Sequence, residues 1–210
     1  MNITTISKNK KHWYDGAFYD KVVAPNQTNL FQQIKNIIPQ GSNIVDVGCG
    51  TGYLEFLLAD KCNIALGIDL SKRNIEKALD NLSKNPIGGI EFKHTSLSEL
   101  QIENSILFDY AITTYVIHEL NENERLPLMM DMAKVARRII IGDYRAPQPR
   151  NKAGFLNEIV EFVAGREHYR NFKNFQRKGG IHNLIEQGNF RLISEIVNET
   201  NHIVEIELIN

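Results

Sequence analysis

The sequence predicts an α/β fold: one domain built on a doubly wound, mostly parallel sheet and closed by an antiparallel hairpin. Three observations predict it. Short apolar runs alternate with helical patterns at least four times along the chain. The first run, Asn43 to Val47, leads straight into glycines 48, 50 and 52 and then a helix. Strand, glycine loop and helix is the order that brings backbone up to a nucleotide-like ligand. The last two runs alternate apolar and polar residues around a turn, as a hairpin does.

In chain order, residues 1–11 are a polar, lysine-dotted tail, and Trp13, Tyr14, Phe18 and Tyr19 form an aromatic cluster. Pro25 interrupts, and a helical pattern resumes from Asn29 to Ile38. The turn 39–42 opens the strand before the glycines, and Tyr53 to Asp60 follows as a helix with Leu54, Leu57 and Leu58 on one face. Ile64 to Leu70 is a second strand, and Ser71 caps a helix whose face is Ile75, Ala78, Leu79 and Leu82. Ile90 to Thr95 is a third strand, with Ser96 to Glu99 a polar turn. Ser105 to Thr114 is a fourth strand. Asn121 with Glu124 makes a capping box for a helix running to Arg137-Arg138. Ile139 to Tyr144 is a fully apolar fifth strand, suited to the centre of a parallel sheet. Helices follow at 155–164, 166–178 and 181–187, then the hairpin 190–198 and 202–209. The single domain divides into a tail and helical cover (1–38), a core (39–145), a helical insert (146–188) and the closing hairpin (189–210).

Composition narrows the function classes. The 210 residues are 42% hydrophobic and 23% charged, with a formal net charge of −1, so no overall field draws the chain to nucleic acid or acidic membranes. Cys49 and Cys62 form no CxxC or metal-finger spacing, which fits a reducing, cytoplasmic setting. No apolar run approaches a membrane span, and the N-terminus lacks an apolar signal segment.

The loop itself selects a ligand. A dinucleotide loop, G-x-G-x-x-G, would place its third glycine at position 53, but that residue is Tyr and the glycine falls at 52. The loop also carries its own acid, Asp46, which suits a cation better than a pyrophosphate. Asp69 ends the second strand 21 residues after Gly48, and its two oxygens suit a vicinal diol.

Val45 to Gly52 with Gly67-Ile68-Asp69 resembles motifs I and II of the class I S-adenosylmethionine-dependent methyltransferases. Phe108 to Ile112 and Val116-Ile117-His118-Glu119-Leu120 resemble that family's strand-four stretch, and Met130 to Asp143 its next helix and strand. The resemblance covers roughly residues 40 to 145 and implies a Rossmann-like sheet of seven strands. It further implies that Asp46, Gly48, Cys49, Gly50 and Gly52 hold the methionine part of S-adenosylmethionine, Asp69 the ribose, and Leu70, Ser96 and Leu97 the adenine. The resemblance also implies that Thr113 and Thr114 lie under the sulfonium. Departures are plain too: Ser96 stands where many relatives have an adenine-binding Asp, and the Asn/Asp-Pro-Pro-Tyr/Phe motif is missing at 113–116. The second departure disfavours methylation of planar amino nitrogens in DNA.

Methyl transfer from a sulfonium is an in-line displacement that needs positioning and no metal, with a base only for a protonated nucleophile. His118 is the candidate base and Tyr144 a second candidate catalytic residue; the alternative for His118 is a helix-start histidine bonded to backbone. Tyr14, Tyr19, Arg145, His168 and Tyr169 are candidates to touch substrate. The reading is methyl transfer to a small molecule, in the manner of the ubiquinone/menaquinone branch. The alternatives are an RNA or protein methyltransferase using the basic–aromatic run 166–178 and a non-catalytic S-adenosylmethionine-binding module. For that run the structural reading packs Tyr169, Phe172 and Phe175 inward.

Overall fold

The computed structural model describes residues 24–103 and 108–209; the tail and Trp13, Tyr14, Phe18 and Tyr19 lie outside the described residues. Sixteen elements in order are α1 (Ala24–Ile37), β1 (Ser42–Val47), α2 (Tyr53–Leu58), β2 (Cys62–Asp69), α3 (Lys72–Lys84), β3 (Ile90–His94), α4 (Leu97–Glu103), β4 (Phe108–Thr114), a 3-10 turn (Ile117–Glu119), α5 (Glu122–Val135), β5 (Ala136–Tyr144), α6 (Lys152–Ala164), α7 (Arg166–Arg177), α8 (Gly180–Gln187), β6 (Phe190–Val197) and β7 (Asn201–Leu208). The seven strands form one sheet in the order β3-β2-β1-β4-β5-β7-β6. β1 pairs parallel with both β2 and β4, so the order reverses beside β1. In open α/β sheets such a reversal leaves a crevice at the carboxyl ends of the strands. β7 runs antiparallel to β5 and β6.

Strand alternation divides the core in two. Val45, Val47, Ala111, Ile139 and Ile141 face one side, against Leu97 and Leu100 of α4, Met129 and Met132 of α5 and Ile181 and Leu184 of α8. Ile44, Ile112 and Ile140 face the other, against Leu30 and Ile34 of α1, Leu54 and Leu58 of α2 and Ile75 and Ala78 of α3. Strands buried on both faces read as continuous apolar runs, which is why β5 was plain in the sequence.

Three local expectations need correction. Pro25 does not interrupt a helix: it lies in the first turn of α1, where its missing N–H has no partner to lose. Ser96 to Glu99 is not a turn but the start of α4. The Ser96 hydroxyl accepts from Glu99 N at 3.2 Å, and Glu99 Oε2 accepts from Ser96 N at 3.1 Å, a reciprocal cap. Arg137 and Arg138 belong to β5 rather than to the helix before it, and Arg138 reaches across the sheet to Glu205 at 2.6 Å.

The helical insert is tied to the core by a buried cation. Arg125 of α5, only 2% exposed, donates to Leu120 O, to Asn174 Oδ1 and to Asn171 O, at 3.1, 2.8 and 2.8 Å. Asn171 in turn donates to Glu119 O at 2.8 Å. These bonds set α7 over the end of β4, and Phe172 and Phe175 seal the contact.

Candidate active site

The glycine loop joins β1 to α2 with Gly48, Gly50 and Gly52 all at positive φ (84°, 58° and 85°). Gly48 and Gly52 are needed for close packing: a Cβ at Gly48 would lie 2.5 Å from Val116 Cγ2, and one at Gly52 would overlap the Phe92 ring. Gly50 differs, since no described residue lies within 4 Å of where its Cβ would be. Among the described residues that is open room above the loop for a ligand. The loop is fastened to β2. Gly48 N and Cys49 N donate to Ile68 O, while Gly50 N donates to Asp69 Oδ2 at 2.9 Å. Ser71 N donates to Asp69 Oδ1 at 2.6 Å. Asn74 Nδ2 also reaches Asp69 Oδ2, at 3.5 Å, so Asp69 braces the glycine loop to the start of α3, and Oδ1 keeps a lone pair for a hydroxyl donor.

Beneath the loop three acids converge. Asp46 is 1% exposed and its Oδ1 has no hydrogen bond among the described residues. Burial, and then the Asp69 charge, push its pKa up to about 8. Glu55 of α2 is fully buried with both oxygens unpartnered, and Gly67 of β2 leaves the space its carboxyl fills. Burial first, and then Asp46, raise its pKa well above the ordinary value. Such a set is arranged for a cation, because an incoming positive charge supplies what desolvated carboxylates lack.

At the ends of β4 and β5 lies a second buried cluster. His118 Nδ1 is 2.6 Å from Asp143 Oδ1, and His118 N donates to Asp143 Oδ2 at 3.1 Å. The other ring nitrogen, Nε2, points at Glu161 Oε1 of α6 at 3.5 Å, too long for a good bond. Glu161 Oε2 has no hydrogen-bond partner among the described residues. Burial alone would lower the His118 pKa, but Asp143 and Glu161 together raise it well above the usual imidazole value. Tyr144 packs on the ring with centroids 4.7 Å apart, and Tyr115 and Phe172 close the sides. Burial, and then the Glu161 charge, hold the Tyr144 hydroxyl well above its usual pKa, so it remains a neutral donor.

The other sequence-predicted residues fall as follows. Leu70 and Thr114 are half-buried at the strand ends. Leu97 is buried in the core and Ser96 caps α4. The Thr113 hydroxyl is directed into the sheet and donates to Val47 O at 2.8 Å. Arg145 is exposed. His168 is buried 3.7 Å from Glu119, and Tyr169 is half-buried, donating to Glu158 Oε1 at 2.7 Å. Tyr14 and Tyr19 lie outside the described residues. Sequence reasoning passed over Glu55 and Glu161. An acid inside an otherwise apolar helix face was the available signal at Glu55, two residues before Leu57, while nothing in α6 marked Glu161.

Glycine loop, braced acid at the end of β2 and strand reversal together define a cofactor crevice of the doubly wound class. The sequence matches the family described as "Methyltransferase domain" over residues 38–193, and the chain belongs to that family, within the class I S-adenosylmethionine-dependent methyltransferases. It is 31% identical over 158 residues to an O-methyltransferase of Penicillium expansum, covering 73% of this chain and 54% of that one. A shorter match, 33% over 98 residues, links it to a tRNA/tmRNA (uracil-C(5))-methyltransferase of Campylobacter lari, covering 44% of this chain and 28% of that one. Among solved structures, magnesium protoporphyrin IX methyltransferase from Synechocystis PCC 6803 with bound S-adenosylhomocysteine superposes with a TM-score of 0.65 at 18% identity, over 92% and 88% of the two chains. That likeness is one of fold. The chain spans about half the length, or less, of the curated relatives it matches. Among the described residues no helix is long and apolar enough to cross a membrane.

Proposed function

We propose that this protein transfers the methyl group of S-adenosylmethionine to a small protic acceptor held between the glycine loop and the α6–α7 cover. The observation that carries the reading is the His118 cluster. A buried imidazole with an underused Nε2, beside an unpartnered Glu161 oxygen, stands at the β4 and β5 ends next to the loop. Asp46 and the Gly48–Gly52 backbone would receive the amino-acid part of the cofactor, Asp69 its ribose, and Thr114 the region under the sulfonium. Leu70, Ser96 and Leu97 would border the adenine.

The chain's own contribution to the reaction is then position and proton handling. The nucleophile must sit about 3 Å from the methyl, opposite the sulfur and away from water. Tyr144 orients it as a neutral donor. The proton that the nucleophile loses passes to the Glu161 carboxylate, while His118, held charged between Asp143 and Glu161, positions that acid rather than taking the proton itself. Arg145, His168 and Tyr169, with Tyr14 and Tyr19, are the residues proposed to border the acceptor. The O-methyltransferase relative supports an oxygen acceptor, and phenols, quinone precursors among them, are the acceptor class to try first.

The test offers the purified protein S-adenosylmethionine with phenols, small amines and bulk tRNA, and follows product by mass spectrometry. Methylation of phenols or amines, lost in Glu161→Gln while cofactor binding persists, is the expected result. Methylation of tRNA alone, abolished by Arg170→Ala with Lys173→Ala, would transfer the reading to the α7 surface. Cofactor binding with no product from any acceptor would make this a binding module.

A further inference from the structure

The last third of the chain brings two histidines and an acid together where α8 meets the hairpin. Register pairs Val197 with His202 and Glu195 with Val204, so Glu195 and His202 are diagonal neighbours on one face of the β6–β7 ladder. α8 lies on that face, fixed by its buried Ile181, Leu184 and Ile185. His182, beside them, overhangs the hairpin. The results are short: His202 Nε2 to Glu195 Oε1 is 2.6 Å, and His182 Nε2 to the same oxygen is 2.9 Å. The two rings stand 4.8 Å apart, and the three donor atoms all lie within 4.8 Å of one another.

We propose that His182, Glu195 and His202 form a binding site for a first-row divalent transition metal of the zinc class, independent of the methyl-transfer site. The donor set decides the class. Two imidazoles and one carboxylate suit Zn²⁺, Co²⁺ or Ni²⁺, whereas Mg²⁺ and Ca²⁺ want oxygen ligands throughout. A tetrahedral ion with bonds of about 2.1 Å separates its ligand atoms by about 3.4 Å. The Nε2–Oε1 distances of 2.6 and 2.9 Å therefore need to open by less than an ångström. The side chains permit it. His202 is 5% exposed and acts as the anchor, while His182 at 53% and Glu195 at 30% are free to adjust. The outward side leaves the fourth position to water.

The ion would tie α8 to the hairpin. His202 pairs in register with Asp143, the residue that holds His118, so the clip would stiffen the strand next to the buried imidazole. Sequence spacing conceals the set, since Glu195 lies thirteen residues beyond His182 and His202 seven beyond that, on three separate elements.

The experiment strips the protein with a chelator and titrates Zn²⁺ against a chromophoric competitor. Co²⁺ is titrated in parallel to read coordination from its visible spectrum, and the melting temperature is followed with and without Zn²⁺. Expected are one equivalent bound, a four-coordinate Co²⁺ spectrum without a thiolate charge-transfer band, and a rise in melting temperature with metal. His182→Ala and Glu195→Gln, both at accessible positions that preserve the fold, should each weaken Zn²⁺ at least tenfold and abolish the thermal shift. Equal binding by the wild type and His182→Ala, a thiolate band pointing to Cys49 or Cys62, or no binding at micromolar metal would each overturn the site. In those cases the trio is a hydrogen-bonded clip alone. None of these readouts depends on methyltransferase activity.

Discussion

Acidifying the solution from about pH 8 to about pH 6 should weaken S-adenosylmethionine binding by tens of fold, through Asp46. This carboxyl is buried beneath the loop, its Oδ1 has no donor, and its pKa stands at about 8 before any ligand arrives. A cationic cofactor binds best to the carboxylate. Half of the molecules carry it at about pH 8 and about one in a hundred at about pH 6, so apparent affinity falls roughly 50-fold, or about 2 kcal/mol. The sign is that of a raised acid: protonated Asp46 must give up its proton for the cation to enter. Titration calorimetry in two buffers of different ionisation heat counts that proton, and close to one per cofactor should be released on the acid side. Asp46→Asn should bind weakly and with no such slope. Equal wild-type affinity at the two pH values, with no proton released, would refute the role given to Asp46. S-adenosylhomocysteine keeps the amino group and lacks the sulfonium, so a shallower slope for it would assign the carboxylate to the sulfur.

Asp69→Ala removes an acceptor used by Gly50 N and Ser71 N and, in the proposed function, by the ribose; calorimetry should show cofactor affinity down by about 1–3 kcal/mol. Gly52→Ala places a Cβ on a residue at φ +85° and against the Phe92 ring; denaturant unfolding should register a loss of about 2–4 kcal/mol. An unchanged midpoint there would mean the loop is built differently. His118→Asn leaves Asp143 and Glu161 buried without a cation, at about 3–5 kcal/mol. Because the folded pKa of His118 lies above its unfolded value, that contribution is complete below about pH 6.5 and is lost as pH rises through the folded value. The stability gap between wild type and variant should therefore be widest in acid and narrow toward alkaline pH.

The residues proposed for the cofactor half of the site were legible because their requirements are local. Glycines 48, 50 and 52 announce a tight turn through the absence of a side chain, and Asp46 and Asp69 end adjacent strands whose apolar runs are unmistakable. Capping chemistry was equally local at Ser71 and Asn121. It was present and missed at Ser96, where the same reciprocal cap opens α4. Boundaries slipped at Arg137 and Arg138 because polar residues on a strand edge carry no period of their own.

The chain by itself determined the alternation of strands and helices, the closing hairpin, and Asp46 and Asp69 beside the loop, since strand alternation, helix periodicity and glycine backbone freedom act over a few residues. Only the tertiary structure decided what meets across the sheet. Glu55 gains its meaning from the gap at Gly67, and Glu161 faces His118 from a helix more than forty residues away in sequence. Glu195 draws His182 and His202 onto one oxygen. Charge and hydrogen-bond partners are fixed by distance in space, which the packing of α6, α7 and α8 on the strands sets and no local pattern encodes.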